Sequence, residues 1–323
     1  MAKRKSEALV EREARVAERQ REVKWGSAYQ PAIKSVREEA PAGSRPIEIP
    51  SAMLERKIQA LSKGEGYCGV VALYNPKLVD FHEQYRISPF ATLHPLSFHP
   101  LWKAYVWPPT SGSVGIAERL NIQGKHPAAL QSFDDDRPPN WVPLSYIGDF
   151  LLYLLTEEGI KVLAWDVKSK VGDHAKPFNR EHATRRQEQS AFVRDAIYRE
   201  YHNELQIEVI SVSGDLVPAR LGETLIRLSS FASRAIDLGN DLRQTLKEDF
   251  QTAMQNCTPP CEVINKYCPT FNERQQAITY YHQLVWRRDL RLDLYQPINL
   301  SVPASPEKVD ILEIYAEWFR GIK

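Results

Sequence analysis

The sequence predicts an α/β protein: a mixed β-sheet flanked by helices, followed by a mainly helical C-terminal module. Three observations predict it. Short apolar, β-rich segments alternate with helical periodicity over residues 51–213. A long amphipathic helix separates the last two of those strands, which points to a parallel crossover within a mixed sheet. Beyond Ser213-Gly214-Asp215 the pattern turns helical, with a short β-ribbon near the end. A chain of 323 residues has room for about two domains.

Composition removes several classes. Lys plus Arg number 42 and Asp plus Glu 41, so overall charge says nothing about nucleic acid, and only local charge bears on partners. The longest apolar stretch, Phe150 to Leu155, is too short to cross a bilayer, and no apolar region follows the basic N-terminus. The expectation is a cytoplasmic protein with no membrane partner. Four cysteines do not make a disulfide scaffold. GxxxxGK[ST], GxGxxG and HExxH are all absent.

Taken in order, residues 1–24 carry eight basic and five acidic side chains without a sustained apolar face, and read as a solvated tail or frayed helix. Four prolines make 25–50 an extended lead-in. Leu54 to Leu61 reads as a short helical stretch. Ser62 then caps a helix that runs to the stop at Asn75-Pro76. Leu78 to Ile87 is rich in β formers. Residues 88–144 hold nine prolines and read as a long elaborated loop or small insertion. Ser145–Leu155 and Ile160–Lys168 form a hairpin about Thr156-Glu-Glu-Gly159. Asn179–His202 is a helix and Gln206–Ser211 a strand. Residues 218–256 are helical with a break at Gly239-Asn240, and Asn272–Trp286 is a strong helix. Arg291–Tyr295 and Ile298–Val302 read as ribbon strands before a helix over Pro306–Arg320. Helices, a ribbon and a terminal helix look like a winged-helix module. The expected domains are a basic tail and lead-in (1–44), a sheet domain (45–213, with the insertion at about 88–144) and the winged-helix-like module (214–323).

The chemistry concentrates on the hairpin. Asp149 sits near the start of one strand, and Asp166 and Lys168 near the end of the next. Residues two apart on a strand share a face, so Asp166 and Lys168 point the same way, and the turn brings Asp149 level with them. Two carboxylates and an ammonium on one sheet face suit a divalent metal and a phosphate. Other clusters read as ordinary structure. Asp134-Asp-Asp136 is a solvated loop. Cys257, Cys261 and Cys268 fit no zinc knuckle and read as buried thiols. Arg287, Arg288 and Arg291 cluster near the ribbon.

An acidic residue followed by (D/E)-x-K on the neighbouring strand resembles the PD-(D/E)XK, or restriction-endonuclease-like, nucleases. Upstream, Leu61-Ser-Lys-Gly-Glu65 opens a helix and Val79-Asp-Phe-His-Glu-Gln84 ends a strand. With these the chain resembles the TnsA-type endonuclease subunit of heteromeric bacterial transposases. Glu65 to Gln84 and Asp149 to Lys168 each span 19 positions, which suits that family. Trp286-Arg-Arg-Asp-Leu-Arg-Leu-Asp293-Leu-Tyr-Gln-Pro297 looks like its C-terminal stretch. The resemblance covers about 45–302. It departs in 88–144 and in the glycines of the first helix (Gly64, Gly66, Gly69).

The resemblance implies a restriction-endonuclease-like fold and a Mg²⁺-dependent DNA endonuclease, with Mn²⁺ substituting, that cuts the 5′ strands at transposon ends. Asp149 and Asp166 would be metal ligands, with the Val167 carbonyl a third. Glu65 would hold a second ion or position water. Lys168 would steady charge on the phosphate, and Gln84 would support the site. Partners would be DNA, a transposase subunit of the TnsB type and an AAA+ ATPase regulator of the TnsC type. The residues leave alternatives. Glu65 could be only a helix cap, and Glu55, after Ser51, could start the helix instead. Arg185 and Arg186, with Arg180 and His182, could face DNA or form an ordinary helix surface. The chain could also be a non-catalytic DNA or protein adaptor on a nuclease-like fold, or a stand-alone restriction or repair nuclease.

Overall fold

The computed structural model describes residues 2–41, 44–99, 106–131, 139–175 and 184–322. Helix α1 (Ala2–Arg19) precedes the hairpin β1 (Ile47–Ser51) and β2 (Arg56–Ala60). Helix α2 (Lys63–Leu73), strand β3 (Leu78–Ile87) and helix α3 (Gly112–Arg119) follow. Next come the hairpin β4 (Ala128–Gln131) and β5 (Asn140–Pro143), then β6 (Tyr146–Thr156) and β7 (Gly159–Lys168). Helices α4 (Gly172–Ala175) and α5 (Arg185–Glu204) lead to β8 (Glu208–Ser213). The remainder is helical: α6 (Ala219–Ala232), α7 (Asn240–Gln255), α8 (Pro260–Tyr267), α9 (Phe271–Trp286) and the short α10 (Ile311–Ile314). The protein is mixed α/β. Its chain divides into two compact units, one of residues 1–44 and 79–213, the other of 45–78 and 214–323.

The first unit is built on a four-stranded sheet in the order β3-β6-β7-β8. Strands β6 and β7 are antiparallel, joined by Glu157-Glu158, with Gly159 taking φ +127°. Strands β7 and β8 are parallel, from Leu163 opposite Glu208 to Lys168 opposite Ser213, so the chain crosses over through α4 and α5. The apolar runs of β6 and β7 reflect a sheet buried on both faces. One face sets Leu151, Tyr153, Val162 and Ala164 against Val193, Ile197 and Tyr201 of α5 and Ile116 of α3. Each such fully buried valine, leucine or isoleucine side chain contributes about 2 kcal/mol. Within strand β3, Gln84 takes φ +41°. Before it Phe81 meets Phe150, and after it Tyr85 turns to the face that holds Tyr153.

The N-terminal segment is not a tail. Val16 of α1 is buried, and the Glu13 carboxylate accepts from Arg86 at 3.0 Å and from the Ser145 amide at 2.8 Å. Polar anchors to residues far along the chain, which periodicity does not see, order this helix. The stretch expected as a loop over 88–144 contains α3 and the β4–β5 hairpin.

In the second unit β1 and β2 pair from Ile47 opposite Ala60 to Ser51 opposite Arg56. Residues 54–61 therefore hold a strand, not a helix: Ile58 and Ala60 turn inward while Lys57 and Gln59 turn out, a period of two. Helix α2 packs on both strands and on α6. Residues 45–78 thus cluster with 214–323 rather than with the strands that follow them. The expected ribbon strands at 291–295 and 298–302 are replaced by one antiparallel bridge, Leu292 to Pro306. Pro297 and Pro303 offer no amide donor, and Asp293 and Asn299 turn the backbone locally by accepting from Tyr295 and Ser301. The helix expected over 306–320 is shorter: α10, then a 3₁₀ turn at Ala316–Phe319.

Candidate active site

The β6–β7 register places the acidic residues. The ladder runs up to Phe150 opposite Trp165, and Asp149 and Asp166 are the next residues beyond that pair, one on each strand. Asp149 Oδ2 accepts the Val167 amide at 2.8 Å, which ties the carboxylate to the neighbouring strand. Asp166 and Lys168 share one side of β7, and the Lys168 ammonium donates to Asp166 Oδ1. Both remain reachable, with side chains 20% and 30% exposed. Gly148 beside Asp149 is demanded by packing, because a Cβ there would fall 2.1 Å from the Tyr85 ring.

A residue the sequence reading missed completes this cluster. His174 on α4 places Nδ1 3.4 Å from Asp166 Oδ2, and its Nε2 lies 3.0 Å from the Val212 carbonyl and 3.1 Å from Ser213 Oγ. Asp166 is therefore held between an ammonium and an imidazole. The cluster opens onto a cleft of about 380 Å³, lined among others by Lys125, Asp166, Lys168, His174, Arg194 and Arg199. The one sequence signal for His174 was its place just past the strand that carries Lys168. Arg194 and Lys125 carried none.

Burial pushes the Asp149 carboxyl above its usual range. The Asp166 charge adds to that rise, while Lys168, the Val167 amide and Arg194 oppose it. Behind Asp149 the Tyr85 and Tyr198 hydroxyls bond each other at 2.9 Å, and Tyr85 reaches His202 Nε2 at 2.7 Å. Burial raises both phenols, and the Asp149 charge reinforces it.

The other predicted residues have the following surroundings within their own units. Gln84 is buried on β3, where its carbonyl accepts from Ala32 at 2.9 Å, and it does not line the cleft. Glu65 belongs to the second unit. There its amide donates to Ser62 Oγ at 3.1 Å, and its Oε2 accepts the Leu61 amide at 2.8 Å, a cap reaching one residue further back than Ser62. Glu55 sits in the β1–β2 turn at φ +52°, so it opens no helix. Arg185 is exposed at the start of α5. The Arg186 side chain, Arg180, His182 and Asp134–Asp136 lie outside the described residues. Cys268 is buried, but Cys257 is exposed. Arg287, Arg288 and Arg291 are each paired with acids: Asp289, Asp310, and Glu307 with Asp310.

Among the described residues no group of three His, Cys, Asp or Glu side chains forms a metal cage, and no helix is long and apolar enough to cross a membrane. Hard oxygen donors on facing strands nevertheless fit Mg²⁺ or Mn²⁺. Such ions commonly take one or two carboxylates and complete their shell with water and substrate phosphate. No protein-family model and no curated protein matches this chain.

Proposed function

We propose that the chain is a metal-dependent DNA endonuclease of restriction-endonuclease-like fold, the TnsA-type subunit of a heteromeric transposase that cuts the 5′ strands at transposon ends. The observation that carries this reading is the Asp149 carboxylate tied to the Val167 amide, next to Asp166 and Lys168, which bond each other on one side of β7. Asp149, Asp166 and the Val167 carbonyl would hold Mg²⁺. Bound there, the ion supplies an activated water and neutralises phosphate oxygens. Lys168 lies where it can release Asp166 and donate to a phosphate oxygen. His174 keeps Asp166 oriented while Lys168 changes partner. By resemblance Glu65 would hold a second ion or the water, and Gln84 would support the site. Residues 214–323 would be a winged-helix-like docking module, its ribbon reduced to one bridge. DNA, a TnsB-type transposase and a TnsC-type ATPase are the partners this reading needs.

The test is strand-specific cleavage of a supercoiled plasmid bearing the element's ends, with Mg²⁺ and the products of the neighbouring genes. Asp149→Ala and Lys168→Ala are expected to abolish 5′-strand cuts and leave 3′-strand cuts. Normal 5′ cutting by both variants overturns the reading.

One observation favours an adaptor without catalysis: Lys168 and His174 already engage Asp166. An adaptor shows no Mn²⁺-dependent rise in Tm, whereas the nuclease shows one that Asp166→Asn removes.

A further inference from the structure

The cleft beside Asp166 has an uneven charge. Lys168 is paired with Asp166, and Arg199 with Asp195 at 3.0 Å. Lys125 and Arg194 have no carboxylate within ion-pair distance among the described residues. Arg194 reaches only the Ile147 carbonyl, at 3.5 Å, and both side chains are exposed. They come from separate elements, Lys125 from the turn after α3 and Arg194 from the cleft-facing side of α5. Two cations without an ion-pair partner among the described residues thus border a groove that Asp166 also lines. Ligands of a groove with cations at its rim and hard oxygen donors inside are polyanions that can share a metal ion, and a phosphodiester backbone is such a ligand.

The position of Arg185 sharpens this. It lies nine residues before Arg194, half a turn away on a 3.6-residue helix, and is not among the cleft-lining residues. We propose that Lys125 and Arg194, not Arg185, form the phosphate-contact path that leads a DNA strand to Asp149 and Asp166. The path rests on the nuclease reading and adds to it the residues that hold the substrate. Each contact displaces counterions from the duplex, so it registers in the salt dependence of binding rather than in sequence preference.

The experiment is fluorescence anisotropy of the full chain with a labelled mixed-sequence duplex, without divalent metal, from about 50 to about 200 mM salt. Lys125→Gln and Arg194→Gln are each expected to make the slope of log K against log salt shallower by about 0.9. Arg185→Gln leaves the slope unchanged, and Arg194→Lys keeps the wild-type value. Unaltered melting temperatures show that the variants are folded. Wild-type slopes in Lys125→Gln and Arg194→Gln, or a loss confined to Arg185→Gln, overturn the path. So does a wild-type chain that does not bind the duplex. The plasmid cleavage comparison of Asp149→Ala with wild type judges the nuclease reading independently, so either idea can fail alone.

Discussion

His202 shows how a single side chain in this unit is committed to one charge state. Its Nδ1 faces the Tyr198 carbonyl at 2.6 Å and its Nε2 the Tyr85 hydroxyl at 2.7 Å, an arrangement that a neutral ring satisfies with one donor and one acceptor. Burial pushes its pKa down to about 4. A histidine depressed in the folded state gives its full stability above the unfolded value of about 6.5 and loses it as pH falls toward about 4. The expected loss from this group alone is about 2 kcal/mol between pH 6.5 and 5. Urea denaturation at the two pH values measures it, and His202→Gln should narrow the gap. An equal gap in the variant removes His202 as its source. A second residue-scale prediction concerns His174. His174→Gln should raise the Mn²⁺ concentration for half-maximal cleavage about tenfold, with the rate recovering at saturating metal. A drop in Tm with no shift in metal dependence would make the residue merely structural. Asp149, Asp166 and Lys168 were legible in the sequence because a strand's period of two dictates their face. His174 was not, because a short helix after a strand end has no period that points it back at Asp166.

At the scale of elements, the strongly patterned pieces were legible and the weakly patterned ones were not. β3, β6 and β7 follow from runs of apolar and β-forming residues bounded by turn signals, and α5 and α9 from helical periodicity. β2 resembles a helix in sequence because five residues cannot separate a period of two from 3.6 on apolar content alone. The C-terminal stretch forms a single bridge rather than a ribbon, because its β-rich residues are interrupted by Pro297 and Pro303, which have no amide to donate. Gly148 carries the prediction at this scale. The Tyr85 ring that would meet a Cβ there is held by Tyr198 and His202 and cannot swing aside cheaply. Gly148→Ala should therefore cost about 1–3 kcal/mol by overpacking and displace Asp149 along with its neighbour. Chemical denaturation reads the first effect and plasmid cleavage the second. A variant as stable and as active as wild type would show that β6 tolerates the shift.

For the whole molecule, the contacts group 45–78 with 214–323, a division that local patterns could not reveal because the two segments are far apart in the chain. A fragment ending at residue 213 keeps α2, β1 and β2 but loses α6, on which α2 packs. It should bind a hydrophobic dye and aggregate, and a monomeric, dye-silent fragment would contradict the grouping. The same arrangement bears on synthesis. The apolar residues of α2 leave the ribosome roughly 145 residues before α6 begins, a wait of about 7–30 s at usual elongation rates. During that interval Tyr67, Val70 and Val71 have no native partner from α6, so nascent chains call for chaperone cover. A product terminated before α6 keeps α2 without that partner.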